Sequence, residues 1–208
     1  MSGTDWSRFR VESISAGTFV KRNVIHADLL ALAARRARGS VLEVGVGSGA
    51  QSAALSRVID RVVALDNDQR ILEAARPNLA RYGPRVLLVA GDGFRMPFRD
   101  GSFGVAISQG LMEHFANDEI GKLLREQLRV CRSVVFSVPS VNYPRQDVGD
   151  ERLLDPGAWA AIVGEAVPQG GYAVRARYYR FDPETLKYSL IARRPLGGFS
   201  VVVTIDPI

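Results

Sequence analysis

Three glycines alternate behind a short apolar run in Val41-Leu-Glu-Val-Gly-Val-Gly-Ser-Gly49, and Glu43 stands two residues ahead of the first. Glycine has no Cβ to occupy the space a ligand needs, so Gly45, Gly47 and Gly49 would let a ligand approach the backbone closely. A second acidic residue, Asp66, ends the next apolar run, and a third, Asp92, follows the one after. His114, one of only two histidines, comes after the fourth run and is the side chain best suited to proton transfer near neutral pH. Two cofactor classes use such a glycine loop. Gly45-Val-Gly47-Ser-Gly49-Ala50 satisfies the dinucleotide pattern G-x-G-x-x-G/A, and Asp66 lies near the expected distance of about 20 residues beyond it. The glycines alone do not name the ligand.

The segments that must hold these residues alternate between two periods. Val24, Ile25, Leu29, Leu32 and Ala33 have helical spacing within residues 18–38, with Gly39 as a stop. Strands are expected at Val41–Val44, Arg61–Leu65, Val86–Ala90, Phe103–Ile107 and Ser133–Val138. Helices fall between them at Ala50–Val58, after Asn67 or Asp68, and after Asn117, whose helix presents Ile120, Leu123, Leu124 and Leu128 on one face. The strands are continuous apolar runs, which predicts a parallel sheet covered on both faces. Beyond Pro139 the rhythm changes to a polar connection. A short helix at Ala158–Ala166 follows, then two strands, Tyr172–Phe181 and Leu186–Arg193, joined through Asp182-Pro-Glu-Thr as an antiparallel hairpin. Gly198–Ile205 has β character without an assigned place.

A chain of 208 residues suits one well-buried domain. Its 47% apolar and 24% charged content is ordinary for a globular protein, so disorder is not indicated. No apolar run approaches the roughly 18 residues that span a bilayer, and Met1-Ser-Gly-Thr-Asp-Trp6 lacks the layout of a secretory signal. A cytoplasmic location without membrane attachment is expected. The net charge of +5 raises the question of nucleic acid, but the 24 arginines and three lysines are scattered, so nucleic acid is not the expected partner. Arg35 to Arg38 reads as the last turn of a helix, where cations complement the dipole. Cys131 has no partner for an internal disulfide and reads as a packed thiol.

The acidic residues separate the two cofactor classes. A carboxylate at Glu43 repels a pyrophosphate but attracts the ammonium of an amino acid moiety. Asp66 and Asp92 line the same carboxyl edge of the sheet, where open α/β folds bind ligands. The closing antiparallel segment also exceeds what a plain dinucleotide fold requires. These features favour S-adenosylmethionine. Val-Leu-Glu-Val-Gly-Val-Gly-Ser-Gly, Ala-Leu-Asp66 and Gly-Asp92-Gly…Met-Pro-Phe-Arg-Asp-Gly-Ser-Phe together resemble the class I S-adenosylmethionine-dependent methyltransferases over about residues 40–140. Ser108-Gln-Gly-Leu-Met-Glu-His114-Phe is similar to the segment after the fourth strand in their small-molecule branch. The sequence departs from the family at Gly104, where many relatives carry Asp, and at Arg129-Val-Cys-Arg-Ser, which lacks the usual Pro-Gly-Gly turn.

The resemblance implies a Rossmann-like, doubly wound, mostly parallel seven-stranded sheet with an antiparallel C-terminal hairpin strand. Residues 1–208 would form a single methyltransferase domain. Its parts would be an N-terminal helical cap or lid (1–38), a cofactor-binding core (39–138), a substrate-side insertion (139–171), and a C-terminal β hairpin and tail (172–208). Glu43, Gly45, Gly47 and Gly49 would surround the methionine half of the cofactor. Asp66 would take the ribose hydroxyls, Asn67 would lie beside the adenine, and Asp92 would receive its amino group. Gly93 and Phe94 would approach the ring, while Ser108 and Gln109 would border the sulfonium. The product would be S-adenosylhomocysteine.

The position after the fourth strand reads Ser108-Gln-Gly-Leu, not Asn/Asp-Pro-Pro-Tyr, which argues against adenine bases and glutamine amides as acceptors. That position also lacks the clustered carboxylates that hold a hard cation, so no metal is expected. His114 is the candidate base. Trp6, Phe9 and Phe19 could fold over the site, and Tyr143, Arg145 and Arg152 could form the opposite wall. The expected activity is metal-independent methyl transfer to an oxygen or nitrogen of a small organic acceptor such as a secondary metabolite, by a monomer or homodimer. The rival readings are RNA or protein methylation, a non-catalytic module that binds the cofactor, and a nicotinamide oxidoreductase.

Overall fold

The computed structural model describes residues 11, 13–146, 149–168, 170–192 and 196–208. Seven strands form one sheet: β1 (Ser40–Val44), β2 (Arg61–Asp66), β3 (Leu87–Ala90), β4 (Phe103–Gln109), β5 (Cys131–Pro139), β6 (Tyr172–Tyr178) and β7 (Ser200–Pro207). Their order is β3-β2-β1-β4-β5-β7-β6. Neighbours from β3 through β5 pair in parallel, whereas β7 is antiparallel to both β5 and β6. The direction of the strands therefore reverses only at β7, and the Rossmann-like mixed sheet matches the expected fold.

The parallel strands are apolar on both sides because helices cover both. On one face Leu29, Leu32 and Ala33 of α2 (Ala27–Arg36) pack with Val41, Val105, Ile107 and Val135. On the other, Ile120, Leu123 and Leu124 of α5 (Asn117–Val130) meet Leu42, Ala106 and Phe136. Trp159, on α6 (Pro156–Ala166), is fully buried with its ring edge-on to Phe136, the centroids 5.7 Å apart. Residues of α3 (Ala50–Leu55) and α4 (Gln69–Tyr82) pack together beside β2, and Asp68 caps α4 by accepting from Arg70 N at 2.9 Å. The α4 helix runs through Pro77 without ending there.

Two expectations are corrected. The helix expected over 18–38 is a pair, α1 (Ala16–Ile25) and α2, with His26 between them. Ser15 accepts from Thr18 N and starts α1. Over Leu186–Ala192, the strand expected at Leu186–Arg193 is instead part of a helix, α7 (Pro183–Ala192), and Arg193 lies outside the described residues. The Asp182-Pro183 pair begins that helix rather than turning a hairpin. Asp182 Oδ1 accepts from Thr185 N at 3.0 Å, and Pro183 occupies the first helical position, where a missing N–H costs nothing. The second strand of the antiparallel pair lies later, at β7, the segment that had β character and no place.

Gly104 has a packing explanation. Any Cβ there would overlap the Ala37 carbonyl, because the end of α2 lies directly on β4. The Gly104 N–H donates instead to Ser40 Oγ at 3.1 Å.

Candidate active site

A cavity of about 470 Å³ opens at the carboxyl ends of β1, β2, β3 and β4, a size ordinary for a small-molecule site. The sheet itself places its walls. Gly45 N, one residue beyond β1, donates to Leu65 O, and Gly91 N, one beyond β3, donates to Asp66 O, both at 2.9 Å. The loops leave the ladder in register with the strands they follow.

Glu43 lines this cavity although only 2% of it is exposed. Its Oε2 accepts from Ser52 N at 3.2 Å and from the Ser52 hydroxyl. Burial pushes the carboxyl up to about 7, with the Ser52 hydrogen bonds opposing and the nearby Asp66 adding to the rise. Gly45 and Gly47 also line the cavity, with φ of +79° and +48°, in the left-handed region that favours glycine. Gly49 does not line it. It caps α3 with φ +74°, and a Cβ there would come within 2.8 Å of Leu79.

At the far side of the loop, Asp66 Oδ2 accepts from Val46 N at 3.1 Å and Oδ1 from Asp68 N at 3.0 Å. Burial holds its carboxyl above the usual range. Asn67 lines the cavity beside it, as do Asp92, Gly93 and Phe94. Asp92 Oδ1 accepts from Phe94 N at 2.9 Å, and the Phe94 ring stands edge-on to Phe115, with centroids 5.5 Å apart. Eight of the expected cofactor residues thus meet in one cavity, and with Gln109 nine do.

Ser108 is separated from them by strand alternation. Gln109 lines the cavity, whereas Ser108 is fully buried, outside the lining, and its hydroxyl has no hydrogen-bond partner among the described residues. Of the expected acceptor wall, Trp6 and Phe9 lie outside the described residues. Phe19 is a core residue, its ring stacked on Tyr82 with centroids 4.5 Å apart. Tyr143 packs edge-on to Phe199 and accepts from Arg145 Nη2 at 3.2 Å. Arg152 binds Phe115 O at 2.9 Å and Asn117 Oδ1 at 2.8 Å. None of these four lines the cavity.

His114 ends a single 3₁₀ turn, Met112–His114, between Leu111 and Phe115, both of which line the cavity. Its own side chain is 4% exposed, and its Nδ1 lies 2.7 Å from Asp150 Oδ1. With Glu151 these two residues bring one potential ligand atom each within 4.8 Å of the others, the only such metal-capable group among the described residues. His26 is half-buried, with its Nδ1 3.3 Å from the Tyr179 hydroxyl. Burial and then Arg22 lower it to about 4. Cys131 is a buried thiol whose burial pushes it far up, as expected of a packing residue.

Sequence reasoning missed Arg22. It lines the cavity and donates to Ser48 Oγ at 3.0 Å, so a guanidinium stands over the glycine loop. The available signal was helical spacing: Arg22 is three residues after Phe19, whose face turns inward.

Residues 41–133 match a protein family described as "Methyltransferase domain". Over 109 residues, 44% of this chain, the sequence is 39% identical to the demethylmenaquinone methyltransferase of Parafrankia sp. (strain EAN1pec), covering 42% of that protein. Over 84 residues, 40% of the chain, it is 32% identical to the protein-L-isoaspartate O-methyltransferase of Bradyrhizobium sp. (strain ORS 278), covering 39% of it. The matches therefore span about two-fifths of these curated relatives. Among solved structures, a protein of Pyrococcus horikoshii superposes with a TM-score of 0.69 at 16% identity, covering 95% of this chain and 94% of that one. A phosphoethanolamine N-methyltransferase of Haemonchus contortus, solved with phosphoethanolamine and S-adenosylhomocysteine, gives 0.63 at 12% identity, covering 91% of this chain and 44% of that one.

Proposed function

We propose that the chain is a class I S-adenosylmethionine-dependent methyltransferase, a reading supported by the match of residues 41–133 to a methyltransferase-domain family, and that it transfers the methyl group to an oxygen or nitrogen of a small organic acceptor. A secondary metabolite is such an acceptor. The carrying observation is that Glu43, Asp66 and Asp92 face one cavity together with Gly45 and Gly47. Three carboxylates disfavour a pyrophosphate, and a zwitterionic nucleoside suits them.

The residues present fit that cofactor. Glu43 faces its ammonium, and Arg22 above the same loop offers its carboxylate a charge-assisted hydrogen bond. Asp66 accepts from the ribose hydroxyls, with Asn67 beside the adenine. Asp92 takes the adenine amino group, and Gly93 and Phe94 lie along the ring. Gln109 borders the sulfonium, while Ser108 supports the same strand end from the opposite face. Gly49 shapes the loop by starting α3 rather than by contact. The bound cofactor supplies an activated methyl group, so the protein must align an acceptor lone pair with it and keep water out.

In this reading the base that removes the acceptor proton is His114, whose side chain is outside the cavity lining, on the turn between the lining residues Leu111 and Phe115. Asp150, 2.7 Å from Nδ1, holds the tautomer in which Nε2 accepts. Tyr143, Arg145 and Arg152, which do not line the cofactor cavity, belong to the segment assigned to the acceptor side. No helix among the described residues is long and apolar enough to cross a membrane.

Calorimetric titration with S-adenosylhomocysteine tests the first step, and absence of binding overturns the reading. Incubation with methyl-labelled cofactor and fractionated metabolites, followed by mass identification, tests the second. The relatives named for protein and ribosomal RNA methylation support the rival acceptors. Label in protein, or in RNA with a steep loss of activity in salt, would favour them. Tight cofactor binding without transfer to any fraction would favour a non-catalytic module.

A further inference from the structure

We infer that His114, Asp150 and Glu151 bind a divalent transition-metal cation that ties the segment after β5 to the wall of the cofactor cavity. The three donors come from two separate parts of the chain, 36 residues apart between His114 and Asp150, yet their ligand atoms lie within 4.8 Å of one another. Two of the three side chains are enclosed: His114 is 4% exposed and Glu151 8%. Enclosed donors exclude competing water, and two carboxylates beside one imidazole give the group a net negative charge whichever way the histidine is protonated.

The donor set selects the kind of ion. One imidazole nitrogen with two carboxylates suits Mn²⁺, Fe²⁺ or Zn²⁺ better than Mg²⁺ or Ca²⁺, which prefer oxygen alone. The backbone around the donors is already fixed. Arg152 N donates to Glu113 O at 3.1 Å, the Arg152 guanidinium binds Phe115 O and Asn117 Oδ1, and Gly149 N donates to Glu151 Oε2 at 2.9 Å. Asp150 and Glu151 are therefore carried on a segment stitched to the 3₁₀ turn that holds His114.

The cation's position makes its role one of architecture. None of the three donors lines the cavity, but Leu111 and Phe115, on either side of the turn, do. Cation binding would fix that wall. One consequence rests on the proposed function: an imidazole that gives its lone pair to a metal cannot also take a proton, so excess cation should inhibit turnover. Binding itself does not depend on that reading.

The experiment uses the full chain, stripped with chelator and titrated with Mn²⁺ while free ion is followed by electron paramagnetic resonance. We expect one saturable site per chain, with imidazole nitrogen coupling to the bound ion in the pulsed spectrum. Asp150→Asn and Glu151→Gln should each weaken binding by about tenfold or more, and Mn²⁺ should raise the melting temperature of the wild type but not of the variants. No saturable binding at millimolar Mn²⁺, bound ion without nitrogen coupling, or variants that bind like wild type would overturn the site. Should Asp150→Asn fail to fold, Glu151→Gln and the wild-type nitrogen coupling decide the matter. Cofactor binding measured on the same samples separates this result from the proposed function, since S-adenosylhomocysteine should bind with or without Mn²⁺.

Discussion

Glu43 at the end of β1 and Ser52 in α3 are joined twice, because the buried Glu43 carboxylate accepts from both the backbone N–H and the hydroxyl of Ser52. The pair clasps the glycine loop from beneath: β1 enters it, α3 leaves it, and one carboxylate holds both ends. It also stores a negative charge, or a proton, beside the cavity.

That pair makes stability depend on pH. The Glu43 carboxyl is raised from 4.5 to about 7, so the folded chain binds more protons than the unfolded one between these values. The group's contribution is fully present below pH 4.5 and is lost as pH rises to about 7, at up to ~1.4 kcal/mol per pH unit. Denaturant unfolding at pH 5 and pH 8 should show a wild-type loss that Glu43→Gln reduces. A cofactor ammonium favours the carboxylate, so binding near pH 7 should release protons, read from calorimetry in buffers of different ionisation enthalpy.

Arg22→Ala should weaken S-adenosylhomocysteine binding about tenfold or more, the worth of a charge-assisted hydrogen bond. Its effect on 5′-methylthioadenosine, which lacks the amino acid part, should be negligible. Equal losses for both ligands would mean that Arg22 shapes the loop through Ser48 instead of meeting a carboxylate.

Asp66→Asn should behave differently and weaken both ligands, because each carries the ribose. Roughly a ten- to hundredfold loss is expected. Unfolding curves must accompany the titration, since Asp66 also accepts from Val46 N and Asp68 N.

Gly104→Ala should destabilise the chain by at least about 2 kcal/mol, because its Cβ would overlap the Ala37 carbonyl. The measurement is a urea midpoint. Cofactor affinity of the folded fraction should be unaffected, as Gly104 lies at the opposite end of β4 from the cavity.

His114→Ala should lower kcat about a hundredfold or more at neutral pH with little change in the KM for cofactor. Unchanged turnover would assign His114 to the packing of its 3₁₀ turn alone.

The sequence by itself determined the parallel core and most of the cofactor cavity. Continuous apolar strands, helices between them and an acidic residue at three strand ends are local patterns. A parallel sheet converts them into one edge, because the ends of β1, β2 and β3 must lie side by side. The same local reading failed at Leu186–Ala192, where apolar residues suited either element and the Asp182–Pro183 cap decided for helix. It also placed Ser108 with Gln109, which strand alternation puts on opposite faces, and Phe19 in a lid, where stacking on Tyr82 makes it core. Only the tertiary structure brought Arg22 over the glycine loop and set Asp150 and Glu151 against His114. Those neighbours lie tens of residues apart in the chain, and no periodicity records a contact made by packing one segment on another.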